Sequence, residues 1–177
     1  MSRALLVIAV LLVGSLQMSM LAHFGNVREY LNIILIFAVY ATMVQHYERG
    51  LLIALIGGVL FDLYSAQPFG TFAFAYIVAV VVTFLVFKNY LTNRSVASLF
   101  ALMAIATITY RLSLVLILGI WQMLGTEVIT TSVGVVTTST LMQLLVNCSV
   151  AIVIAFLLRF VAPSYSFQRL PPRPFST

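Results

Sequence analysis

Charge is scarce in this chain: 7% of its 177 residues are Asp, Glu, Lys or Arg, against about 25% in a soluble domain. That leaves too little polar surface to coat a globule in water, and with 63% of residues hydrophobic the solvent implied for most of the chain is lipid. Acidic residues number four, and three of them, Glu29, Glu48 and Glu127, stand at the ends of apolar runs, which leaves little for general acid–base catalysis. The two histidines, His23 and His46, fall on opposite sides of the membrane in the topology below, so no shared metal site is expected. The single cysteine, Cys148, lies in an apolar run and reads as packing, since it has no partner for an internal disulfide. There is no Gly-rich phosphate loop, no G-x-S-x-G elbow and no H-E-x-x-H. The expectation is a protein without catalytic residues, metal or cofactor, and not an enzyme. Basic residues are spread singly rather than clustered, so nucleic acid is not an expected partner either.

What the chain does have is long apolar runs. Six spans are expected, at about 4–22, 30–44, 50–66, 71–87, 95–124 and 132–160, forming one membrane domain over 1–162. The first has Arg3 at its start and is too long for the apolar region of a cleaved signal peptide, so it reads as a retained span. The polar group Gln45–Arg49 is taken to stop the second span, and the turn Gln67-Pro68-Phe69-Gly70 to end the third, which is short for a full crossing. The fifth is long enough to tilt or project, with Trp121 as an interfacial anchor near its far end. Residues 163–177 contain Pro171, Pro172 and Pro174 and read as an extended cytoplasmic tail, since this composition cannot build a core.

With the N-terminus inside, Arg3, Arg49, Lys88, Arg94, Arg159, Arg169 and Arg173 face the cytoplasm, and Arg28 alone faces out. The positive-inside rule therefore favours both termini in the cytoplasm.

Two charges lie within spans. Asp62, in a short apolar helix, costs roughly 2.5–3.5 kcal/mol at mid-helix and must face protein or water. Ala54 and Gly58 share its face and allow another helix to come close. Arg111 lies roughly 24 Å along the fifth span, against roughly 18 Å for Asp62 along the third, at 1.5 Å per residue. An Asp62–Arg111 ion pair, or a shared network with Thr107, Gln143 and Asn147, is the expected arrangement. Polar contacts holding helices together, a substrate or proton path, and a partner-binding surface are all compatible with these residues.

The segment from Gly50 through Asp62 to Phe74 resembles the rod shape-determining protein MreD family, whose members carry a Gly-rich apolar helix ending in an aspartate, then Pro-x-Gly and another span. The matching positions are Gly57, Gly58, Asp62, Pro68 and Gly70. The resemblance implies an all-α, polytopic six-helix bundle, similar in helix arrangement to the substrate-binding subunit of energy-coupling-factor transporters. It also implies a non-enzymatic scaffold of cell elongation in the bacterial cytoplasmic membrane. Its partners would be an MreC-type single-span protein and, directly or indirectly, the MreB cytoskeleton, RodA and a penicillin-binding protein. The alternative is the vitamin-binding transporter subunit itself, although the Ala-x-x-x-Ala pattern usual on the first span of those subunits is absent: Ala4 is followed by Ile8 and Ala9 by Val13.

Overall fold

The computed structural model describes residues 3–21, 30–44, 47–91, 95–126 and 133–161. Among the described residues there are six helices and no strands: α1 (Arg3–Leu21), α2 (Ile33–Val44), α3 (Tyr47–Tyr64), α4 (Thr71–Asn89), α5 (Val96–Met123) and α6 (Val133–Val161). The fold is all-α, and α4, α5 and α6 are each long and apolar enough to cross a membrane. With 28 and 29 residues, α5 and α6 reach roughly 42 and 44 Å at 1.5 Å per residue, more than the roughly 30 Å of a hydrocarbon core. His23, Arg28, His46, Arg94, Glu127 and the tail 163–177 lie outside the described residues.

Most helix ends fall within two residues of the sequence expectation, and two starts differ by three. The third helix begins at Tyr47, not Gly50, so Glu48 and Arg49 sit in its first turn. A glutamate there faces the positive end of the helix dipole, so the polar cluster starts α3 as well as stopping α2. The second helix begins at Ile33 and has 12 residues, with Leu31 and Asn32 non-helical before it. It is only about 18 Å long. Asn32 provides the reason: its side-chain Oδ1 accepts from the Leu35 N–H at 3.0 Å, an N-cap that starts the helix two residues inside the apolar run.

This short helix is the centre of the bundle. It packs against each of the other five, and Leu35, Ala38 and Val39 on it are fully buried. Around it α3, α4 and α5 pack in sequence, α6 packs on α5, and α1 packs on α2 and α3. Within a largely apolar core the bundle also buries a set of polar side chains, and it leaves large apolar ones facing out. Gln17, Asn32, Asp62, Thr107, Gln143 and Asn147 are buried, whereas Leu12, Leu116, Leu141, Leu145 and Phe156 are exposed. In hydrocarbon, polar side chains must find partners inside the bundle while leucine loses nothing by facing out.

Candidate functional site

Two features stand out: a joint between α3 and α4, and a buried polar seam ending in a cavity. The joint starts with backbone chemistry. Gly70 adopts φ 94°, in the left-handed region, and occupies the N-cap position of α4, where it has no side chain to accept from the first-turn amides. Asp62 supplies that acceptor from the preceding helix. One carboxylate oxygen takes the Phe72 N–H at 2.8 Å and the other takes the Ala73 N–H at 3.1 Å. A carboxylate there also faces the positive end of the α4 dipole. Pro68 closes the turn, its carbonyl accepting from the Thr71 N–H at 3.3 Å and the Thr71 hydroxyl at 2.7 Å.

The reach of Asp62 depends on how closely the helices approach. A Cβ on Gly58 would collide with the Ala73 backbone, and one on Gly57 with the Ile34 side chain. The first glycine position admits α4 and the second admits α2. Phe61 reinforces the joint, with ring centroids 5.8 Å from Phe72 and 5.6 Å from Tyr76.

The seam joins the remaining buried polar groups. Asn147, midway along α6, accepts from the Asn32 backbone N–H at 2.9 Å through Oδ1 and donates to the Thr107 hydroxyl at 3.3 Å through Nδ2. One turn further along α5 and one turn back along α6, Arg111 Nε donates to Gln143 Oε1. A step of four residues forward on one helix matched by four back on the other is the register of an antiparallel pair. Tyr76 donates to Asn32 Oδ1 at 2.7 Å, and its ring lies 4.8 Å from that of Tyr110. On α1, Gln17 donates to the Leu31 carbonyl at 3.1 Å and accepts the Ile34 N–H at 3.4 Å. The unwound start of α2 is thus held by side chains from α1, α4 and α6, as backbone polar groups away from water must be.

The sequence-predicted residues therefore divide into two sets. Thr107, Arg111, Gln143 and Asn147 come together as two rungs between α5 and α6. Asp62 stands apart from them. Among the described residues no ion pair joins it to Arg111; its two oxygens are taken by the amides of α4, which the depth comparison could not foresee because backbone amides leave no mark in a sequence. Sequence reasoning also passed over Gln17, Asn32 and Tyr76. The first was a lone amide in an apolar run, and the second an Asn just before one, which is an N-cap signal. For Tyr76 no signal was present.

A cavity of about 330 Å³ opens where the seam meets α1 and the ends of α3 and α6, lined in part by Gln17, Leu31, Phe61, Arg111, Ser139 and Gln143. Among the described residues no group of three or more His, Cys, Asp and Glu side chains is placed to hold a metal ion. No protein-family model matches the chain, and neither the curated proteins nor the solved structures offer a match.

Proposed function

We propose that this protein is a non-enzymatic membrane scaffold of the MreD kind, which helps sustain rod shape in a bacterium by organising side-wall peptidoglycan synthesis. The observation that carries the reading is that four of the five residues of the resemblance, Gly58, Asp62, Pro68 and Gly70, act in the one joint between α3 and α4, while the fifth, Gly57, lets α2 close on the same helix. Gly57 and Gly58 allow the helices to close, Asp62 caps α4, Pro68 closes the turn and Gly70 takes the left-handed conformation the turn needs. A chance match would scatter these residues over unrelated tasks; their convergence supports a motif that encodes this joint.

In this reading the bundle crosses the cytoplasmic membrane six times with both termini inside. The lengths and apolarity of α4, α5 and α6 and the distribution of basic residues support it. The protein then acts by binding, without turnover. Its partner is a single-span protein of the MreC type on its outer or intramembrane surface, with the MreB cytoskeleton, RodA and a penicillin-binding protein in the same assembly.

The test is co-purification in detergent of the tagged protein with the MreC-type protein of its own organism, together with depletion of the protein in that organism. The expected outcome is a stable complex and loss of rod shape, restored by the wild-type gene. Depleted cells that keep their shape, with no complex recovered, would overturn the proposal.

A further inference from the structure

Two buried side-chain amides meet the cavity with their donor groups unspent. The Asn32 oxygen accepts from the Leu35 N–H at 3.0 Å and from the Tyr76 hydroxyl at 2.7 Å, and the Gln143 oxygen accepts from Arg111 Nε. Among the described residues, neither Asn32 Nδ2 nor Gln143 Nε2 has an acceptor, although both residues are buried and both line the cavity. A primary amide carries two N–H donors, and burying them without a partner costs free energy. The space beside them can hold the missing partner, since about 330 Å³ is at the lower end for small-molecule sites.

The chemistry of that partner follows from what is already taken. Arg111 is engaged by Gln143 and by a further interaction, and Asp62 is taken up by the amides of α4, so what the two amides still offer is neutral and donating. The rung of Asn32 with Asn147 and the rung of Gln143 with Arg111 lie one turn apart on α6, roughly 6 Å along its axis. Two acceptor oxygens on one small body suit two donor groups so placed. The lining also includes Phe61, Leu114 and Val136, which favours an apolar body between those oxygens. Helices α1 and α6 both line the cavity but do not pack on one another, so helix packing among the described residues does not close it between them.

We propose that this cavity binds an uncharged molecule with two carbonyl oxygens on an apolar body, the oxygens accepting from Asn32 Nδ2 and Gln143 Nε2. The proposal goes beyond the scaffold reading and does not rest on it. A free compound of the quinone kind and the glycerol ester region of a membrane lipid share this chemistry, and the experiment separates them.

The probe is radiolabelled 2,3-dimethyl-1,4-naphthoquinone, an uncharged dicarbonyl whose methyl groups block addition of thiols. Its binding to the full-length protein is measured by equilibrium dialysis in nanodiscs of a diether phosphatidylcholine, which has no ester carbonyls, with uptake by empty discs subtracted. Saturable binding is expected, displaced by unlabelled probe and not by 2,3-dimethylnaphthalene, which has the same rings without the oxygens. Gln143→Glu keeps an oxygen for Arg111 but removes the amide donor, and should weaken binding roughly tenfold. Ser139→Leu narrows the cavity with both amides intact and should also weaken binding while the protein elutes as wild type, which keeps the test valid if Gln143→Glu folds poorly. Repeating the measurement in discs of an ester-linked phosphatidylcholine identifies the source. Weaker binding there assigns the cavity to lipid esters and equal binding assigns it to a free dicarbonyl, each upholding the site. Uptake that does not saturate, displacement by the hydrocarbon as good as by the quinone, or a Gln143→Glu or Ser139→Leu protein that binds as wild type would overturn the proposal.

Discussion

The N–H groups of Phe72 and Ala73 both depend on Asp62 for an acceptor, and that dependence can be separated from a need for charge. Asp62→Ala leaves two amides without a partner at a buried helix end, for which a loss of about 2–4 kcal/mol is expected. Asp62→Asn keeps one carbonyl oxygen for one amide and loses the charge at the dipole, so it should cost about half as much. Denaturant unfolding in detergent measures both. If the carboxylate worked instead by pairing with Arg111, Asn and Ala would be equally harmful, because each leaves the same cation unpaired. The seam allows a second comparison. Asn147 serves the Asn32 backbone N–H as well as the Thr107 hydroxyl, so Asn147→Leu should cost about 1–3 kcal/mol, whereas Thr107→Val removes only a long 3.3 Å bond and should cost about 0.6 kcal/mol. At this scale the sequence revealed some of the residues out of place in lipid, Asp62, Thr107, Arg111, Gln143 and Asn147 among them, and missed Gln17 and Asn32. It did not reveal which of them were partners, since both oxygens of Asp62 and the Oδ1 of Asn147 proved to accept from backbone N–H groups.

Helix packing turns on what a glycine permits, and the chain contains its own control. Alanine is favoured over glycine by about 1 kcal/mol within a helix. At Gly119, where a Cβ would meet nothing within 4 Å, Gly119→Ala should therefore raise stability by about that amount. At Gly58 the same change drives a Cβ into the Ala73 backbone, which cannot move without breaking the Asp62 cap, so Gly58→Ala should lower stability by about 1–3 kcal/mol. The difference in unfolding midpoint between the two variants, opposite in sign, is the measurement; two shifts of the same sign would mean that α3 and α4 do not meet at Gly58. The helices themselves were largely legible, because long apolar runs interrupted by polar clusters define most of the element ends. The starts of α3 and, more tellingly, of α2 were the exceptions. The apolar run of α2 continues back to Tyr30 with only Asn32 as an interruption, and hydropathy cannot tell a polar residue inside a helix from one that caps it. The cavity was illegible for the same reason, since it arises from that break and from residues that meet across five helices.

On the scale of the whole molecule, α5 is the element that decides topology. It holds the two ends of the bundle apart by roughly 42 Å, so Tyr90, just before it and 80% exposed, and Leu124, just after it and 69% exposed, belong on opposite faces if it crosses the membrane. Basic residues Arg49 and Lys88 fall at the end where Tyr90 lies, which makes that end cytoplasmic under the positive-inside rule. The native Cys148 is 3% exposed and readily replaced, so a Cys148→Ala background carrying either Tyr90→Cys or Leu124→Cys reports each face separately. A membrane-impermeant maleimide added to intact spheroplasts should label Leu124→Cys and leave Tyr90→Cys untouched until the membrane is opened. The reverse pattern would invert the bundle and put the basic residues on the outside, and with it the placing of both termini in the cytoplasm. Labelling of both positions from one side would mean that α5, despite its length and apolarity, lies along the membrane rather than across it.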